Sequence, residues 1–386
     1  MISERSLFLH LLRIFSALIV CVGHTKEFLF VQMSDTANLL EKLTRLFLGL
    51  GSSAVLVFFF LSGYLVGGNT IRNLINQELN FGTYIFNRLT RLWIVLVPAL
   101  LLTFSLNTFT CRSSNISLYC TANPILASHA TIPPLFSQKS SDLFSNVFFI
   151  QPFKGLPWGG NGPLWSLSYE FWYYIIFFSL IVILNSFLKR KLSYRIIPHI
   201  CILFLASKIL NTDWLALGSI WVSGAGAAYF LSTDWARKFS ARYRKSVTLK
   251  FTWLTIFLIF PVLITLKISP RLISFPILIL VITFCISTMQ SDRQSRINGK
   301  LQGLIVRGSE FSFSLYLIHF PIIALVASQL APTNRWNMSP MGLLVLVGIT
   351  FGVLLAAYAF AWLTEFNLAH LRNVLRQFIR NTLNSI

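Results

Sequence analysis

Acidic side chains are scarce in this sequence. Twelve Asp and Glu stand against 32 Lys and Arg, and charged residues of both signs make up only 11% of the 386 positions. Soluble domains carry about 25% charged residues. A chain this poor in charge, 55% apolar and holding 36 Phe, has no means of covering a water-facing surface. A soluble enzyme of one or two domains is therefore excluded. The formal charge of +20 would otherwise suggest nucleic acid as a partner. Here the basic residues sit in short clusters between apolar runs of membrane-spanning length, the pattern of a polytopic membrane protein. Nucleic acid is not an expected partner.

Several chemical signatures are missing too. There is no Gly-x-Ser-x-Gly elbow, no glycine-rich phosphate loop with a Lys, and no His/Cys spacing of the zinc type, so a protein-held metal is not expected. Cysteine is sparse, at five residues. Cys21, Cys201 and Cys285 lie within apolar runs and read as packing residues. Cys111 and Cys120 fall in a loop where an oxidising compartment would permit a disulfide. Asn115-Ile116-Ser117 matches a glycosylation sequon, which matters only in a eukaryotic host. The first apolar run is not a cleavable leader, because it is too long, lacks a small-residue cleavage site and holds Arg13. No internal repeat points to an inverted-repeat transporter.

Apolar runs able to cross a bilayer lie near 7–31, 46–68, 92–109, 167–187, 196–210, 215–231, 251–267, 272–288, 310–330 and 341–363. The fold expected is an all-α integral membrane protein, a bundle of about ten transmembrane helices. With the N-terminus in the cytoplasm, basic residues favour the inner side by roughly two to one, which fits both termini being cytoplasmic. Residues 1–365 then form one transmembrane domain with a long outer loop at about 110–165, rich in Pro, Ser and Asn and able to cap an outward-facing site. Residues 366–386 form a basic cytoplasmic tail. Its Arg372, Arg376 and Arg380 recur at four-residue spacing, the pattern of a surface helix against anionic headgroups.

Ionisable groups at membrane depth are expensive and mark function by default. Arg13 and His24 are eleven residues apart in the first span, three helical turns plus roughly 20°, so they share one face about 16 Å apart along the axis. His24 suits proton transfer near neutral pH, and Glu27 at i+3 is placed to fix its tautomer. The bland alternative has Arg13 snorkelling to the inner interface and His24 bonding a backbone carbonyl. Arg88 and Arg91 form a second basic pair just before the third span. They suit a phosphate-bearing ligand bound by guanidinium forks, or merely set topology. Glu170 enters the fourth span among Trp165, Tyr169 and further aromatics. It either caps the helix start or lines an outward site, and the aromatics are either an interfacial belt or a stacking surface for a sugar. In the ninth span Tyr316 and His319 share a face, and Pro321 frees a backbone carbonyl there. A structural and a catalytic His319 are both open. Ser62 and Gly63 in the second span suit close helix packing.

Taken in order, these segments resemble the membrane acyltransferase family 3. Arg13 to His24 is similar to its Arg-x10-His signature, and Phe58-Phe59-Phe60-Leu61-Ser62-Gly63-Tyr64 to its Phe-Phe-x-Leu-Ser-Gly-Phe segment. Arg88-Leu89-Thr90-Arg91 matches its Arg-x-x-Arg, and Trp165 to Glu170 and Ser314 to His319 match two later landmarks. Two departures stand out. No SGNH hydrolase-like domain is expected after the last span, and the proline that often closely follows Arg-x-x-Arg comes late, at Pro98.

The resemblance implies a multi-pass protein of the bacterial inner membrane that moves an acyl group, usually acetyl, from cytoplasmic acetyl-CoA or a similar acyl-CoA to a sugar hydroxyl. The acceptor would be a lipid-linked or exported glycan. Arg13, Arg88 and Arg91 would then hold the donor. His24, with Glu27 or Glu170, would do the proton chemistry. Trp165, Tyr169, Tyr316 and His319 would contact substrate. A covalent acyl-enzyme on His24 or a serine is the variant mechanism. The competing class is a transporter or flippase of a lipid-linked glycan, which would bind no CoA and leave its cargo's mass unchanged.

Overall fold

The computed structural model describes residues 2–31, 41–42, 44, 48–113, 139–151, 154–190, 193–208, 212–243, 271–289, 295, 297–331 and 335–384. The expected span 251–267, Cys120 with its possible disulfide, the sequon and loop residues 114–138 lie outside the described residues.

Among the described residues the chain is helical, and the one β-type contact is an isolated parallel bridge between Phe30 and Trp336. In chain order the helices are α1 (Glu4–Leu29), α2 (Gly51–Ile75), α3 (Phe81–Ser113), α4 (Ser140–Val147), α5 (Leu164–Leu188), α6 (Ile197–Ser207) and α7 (Thr212–Phe230). They continue with α8 (Asp234–Tyr243), α9 (Arg271–Thr288), α10 (Gly299–Leu330), α11 (Pro340–Leu363) and α12 (Leu368–Asn384). Six helical stretches, α1, α2, α3, α5, α10 and α11 with the segment after it, are long and apolar enough to cross a membrane. The shorter apolar stretches Tyr194–Ser207 and Leu278–Thr288 accompany them. This is an all-α membrane protein.

Helix and apolar run do not end together. The third run was read from 92 and the ninth from 310, whereas α3 starts at Phe81 and α10 at Gly299. Hydropathy reports only what lies in hydrocarbon, and a helix with satisfied backbone bonds continues past it into polar turns. Arg88 and Arg91 therefore lie inside α3, not ahead of it.

The described chain divides into two compact units. The first is Met1–Val20, Asp35–Phe81 and Tyr169–Val306; the second is Cys21–Ser34, Gly82–Ser168 and Arg307–Ile386.

The first unit is organised around α2 and α7. A β-carbon on Gly63 would lie 1.8 Å from the carbonyl oxygen of Trp221, and one on Gly224 would lie 2.1 Å from that of Phe60. Gly67 and Gly68 would each meet an alanine β-carbon at 2.5 Å, on Ala225 and Ala228. Small residues on both helices let the backbones touch, which is how helices associate where lipid removes the hydrophobic drive. The packing reading of Gly63 is thereby borne out, and α2 passes through a π-turn at Gly63–Gly67 within this crossing. The same composition explains why α7 is a weak span by hydropathy. Gly218, Ser219, Ser223, Gly224 and Gly226 stand where aliphatic residues would raise it.

The second unit joins α3, the segment around residue 160 and α10. Trp158 Nε1 donates to Leu100 O at 3.3 Å, and Asn107 Nδ2 to Gly159 O at 2.5 Å. Gly159 sits at φ +58°, with a β-carbon there only 2.6 Å from Asn107 Nδ2, so the turn requires glycine on both counts. Asn161 Nδ2 donates to Leu317 O at 2.9 Å and to Thr103 Oγ1 at 3.3 Å. Leu317 O is the carbonyl that Pro321, four residues on, leaves without its helical N–H donor. The freed carbonyl is thus taken by Asn161, not by His319. Asn161→Leu should cost about 1–3 kcal/mol, the penalty of an unmet buried carbonyl, read as a lowered melting temperature in detergent.

Candidate active site

His24 lies on α1 with Glu27 one turn later, and His24 Nδ1 is 3.2 Å from Glu27 Oε2. A carboxylate accepts, so Nδ1 carries the proton and Nε2 presents a lone pair. The i, i+3 spacing puts both side chains on one face, and the expectation that Glu27 reaches the ring matches the geometry. The His24 side chain is 25% exposed.

His319, on α10, packs its ring on that of His24 with centroids 5.3 Å apart and planes 29° from parallel. His319 Nδ1 lies 3.0 Å from Leu315 O. A carbonyl also only accepts, so the proton again sits on Nδ1 and the lone pair on Nε2. That Nε2 is buried and has no hydrogen-bond partner among the described residues. Phe320 stands edge-on to His24 at 5.3 Å and meets Phe28 at 5.0 Å, walling one side of the pair. Tyr316, one turn before His319, has its ring 5.9 Å from the imidazole, and its hydroxyl is 2.7 Å from Ser166 Oγ and donates to Pro163 O at 3.4 Å. Of the two stacked imidazoles, the partly exposed His24 is the candidate base and the buried His319 its support.

Arg91 Nη2 pairs with Glu365 Oε1 at 3.3 Å. Glu365 follows α11, is 6% exposed, and through Oε2 also accepts from Ser314 N at 3.2 Å and Ser314 Oγ at 3.0 Å. Arg88 lies over the Tyr84 ring at 5.8 Å. Sequence reasoning missed Glu365. Its signal was available, since it is the last acidic residue of the chain and follows the last apolar run directly.

Glu170 belongs to the first unit, with the second span's Ser62. Ser62 Oγ donates to Glu170 Oε1 at 2.5 Å, Tyr174 OH donates to the same oxygen, and Trp221 Nε1 donates to Ser62 Oγ at 3.1 Å. The helix-start reading of Glu170 is corrected here. α5 begins at Leu164, so the carboxylate lies beyond the first turn, where the helix dipole no longer acts. It ties α5 to the crossing of α2 and α7 instead. Tyr169 is buried, edge-on to Tyr173 at 6.4 Å, and Tyr173 OH donates to Trp214 O at 2.7 Å. Trp165 is partly exposed near the start of α5, and Arg13 is partly exposed on α1. No group of three or more His, Cys, Asp or Glu able to hold a metal occurs among the described residues.

The acyltransferase 3 family model, described as an acyltransferase domain, matches residues 6–362. No curated protein and no solved structure matches the chain.

Proposed function

The chain belongs to the acyltransferase 3 family and is a membrane acyltransferase, and from that premise we propose that it transfers an acetyl or similar acyl group from cytoplasmic acyl-CoA to a sugar hydroxyl. The acceptor is a lipid-linked or exported glycan, and the enzyme works in the bacterial inner membrane with both termini cytoplasmic. The observation that carries this reading is the His24–Glu27 pair, whose shared hydrogen bond leaves the Nε2 lone pair to take a proton.

In this mechanism His24 Nε2 removes the proton of the acceptor hydroxyl as its oxygen attacks the acyl carbonyl. The Glu27 carboxylate stabilises the imidazolium through Nδ1–H. The imidazolium then returns the proton to the sulfur as the carbon–sulfur bond breaks, so His24 ends as it began. His319 is a positioning residue. Held by Leu315 O through Nδ1 and buried, its ring stacks on that of His24 and fixes the plane of the base. The guanidinium groups of Arg88 and Arg91 suit the phosphates of the donor. Glu170, tied to Ser62 and Tyr174, holds the packing of the first unit.

Mass spectrometry of surface and exported glycans tests the proposal in three strains, carrying the gene, lacking it, or carrying only His24→Ala. The expected result is a glycan fraction heavier by one acetyl group in the first strain alone. Unchanged masses with glycans that fail to reach the surface would overturn it in favour of transport without chemistry.

A further inference from the structure

The C-terminal helix brings more arginines to the Arg88/Arg91 segment. Arg372 Nε donates to Thr90 Oγ1 at 3.1 Å and its Nη2 to Asn87 O at 3.4 Å. Arg376 Nη2 donates to Asn87 Oδ1 at 3.0 Å, and its guanidinium lies 5.2 Å from the Phe86 ring centroid. Asn87 and Thr90 are neighbours of Arg88 and Arg91 in sequence, so α12 and α3 gather their cations at one place. Arg372 lies in the fields of Arg376, Arg88 and Arg91 together. The expected docking of this face on lipid headgroups alone does not describe these contacts, which commit two arginines to protein.

The charge in this cluster is lopsided. Glu365 pairs with Arg91, whereas the hydrogen bonds of Arg372 and Arg376 go to neutral oxygens, which orient a guanidinium without neutralising it. Each guanidinium has five N–H donors in a fixed fork, and among the described residues Arg372 uses two and Arg376 one. Like charges held this close repel. The arrangement is one that a multiply charged anion would stabilise, and planar forks match phosphate oxygens.

We propose that Arg372 and Arg376 complete, with Arg88 and Arg91, a polyphosphate-binding cluster that takes the diphosphate and ribose phosphate of the acyl-CoA donor. This rests on the donor reading given above and extends it to a helix beyond residue 362, where the family match ends. Phosphates of anionic lipids share the same chemistry. The apolar side chains exposed on α12, Leu375, Phe378 and Ile379, suit a helix lying at a bilayer surface. The test must separate the two sources.

Equilibrium binding of CoA and of 3′-dephospho-CoA is measured with the full-length protein in nanodiscs of pure phosphatidylcholine and in nanodiscs containing phosphatidylglycerol. The variants are Arg376→Gln, the double variant Arg372→Gln/Arg376→Gln, the double Lys replacement, and Arg380→Gln as control. In phosphatidylcholine, the double Gln variant is expected to bind CoA about tenfold or more weakly and to lose part of the preference for CoA over 3′-dephospho-CoA. The Lys pair should recover part of the loss, and Arg380→Gln should bind as wild type. Should the double variant fail to fold, Arg376→Gln alone carries the test, because among the described residues this exposed side chain makes a single hydrogen bond and its loss leaves the α3 contacts of Arg372 in place. Wild-type affinity in a folded Gln variant overturns the proposal. So does a loss seen only with phosphatidylglycerol present, which would assign the cluster to lipid. A wild-type protein that binds no CoA in either disc would instead bring down the donor reading itself, and this inference with it.

Discussion

Replacing His24 with Ala is expected to lower acyl transfer in membrane vesicles by about 10²–10⁴-fold, the contribution usual for a positioned general base, while the protein stays folded. The expectation follows from how the ring is held. Its Nδ1 is occupied by Glu27, so tautomer and ring orientation are fixed and the only basic atom left is Nε2. Partial exposure keeps that atom within reach of an incoming hydroxyl, whereas His319 is 1% exposed. Glu27→Gln keeps an oxygen to accept from Nδ1 but removes the charge that stabilises the imidazolium. Its turnover should fall less than that of His24→Ala, with the acceptor KM little changed. His319→Ala removes the ring stacked on the base, so it should lower kcat with the acceptor KM little changed. Vesicles supplied with labelled acetyl-CoA, assayed for label on glycan, read all three. Full turnover in folded His24→Ala would remove His24 as the base and leave the family assignment standing.

Gly63→Ala is expected to be the most damaging single-methyl change in the first unit. The new β-carbon would meet a backbone carbonyl oxygen at 1.8 Å. No side-chain rotation relieves a backbone clash, so α2 and α7 must separate. The cost should exceed the ~1–3 kcal/mol of ordinary overpacking, because the separation also disturbs Ser62 and, through it, the Glu170 and Trp221 hydrogen bonds. Gly224→Ala, facing Phe60 O at 2.1 Å, should behave alike. Gly226→Ala is the control on the same helix. Among the described residues nothing lies within 4 Å of its added carbon, and alanine is the better helix former by roughly 0.5–1 kcal/mol, so its melting temperature should stay level or rise. If all three variants melt together in detergent, close backbone contact does not hold this crossing.

Much of this was legible in the chain of letters, and the rest was hidden for definite reasons. Membrane location, helical class and most helix positions follow from long apolar runs, because lipid enforces one solution on a spanning backbone. Helix ends were misplaced where polar turns extend the helix, at 81–91 and 299–309. Among site residues, His24 and Glu27 meet because i, i+3 geometry is local. His319 lies on a distant helix; its place at membrane depth beside Tyr316 made it a candidate, but nothing in periodicity pairs it with His24. Glu170 looked like a residue at a helix entrance because the apolar run starts later than the helix does. Asn161 carried no local sign at all, although Pro321 announced that some donor had to reach Leu317 O.

That last bond has a consequence for the order in which the molecule is made. Within lipid, a bare carbonyl costs several kcal/mol, and α10 holds one at Leu317 that its own backbone does not satisfy. The donor that answers it belongs to a segment about 150 residues nearer the N-terminus, and chains are made from that end. When α10 leaves the ribosome, Asn161 has already been synthesised and its neighbours can already be seated on α3. The late helix is therefore delivered to a waiting receptor, and a circularly permuted chain in which α10 is made first would be expected to insert poorly even though every final contact were preserved.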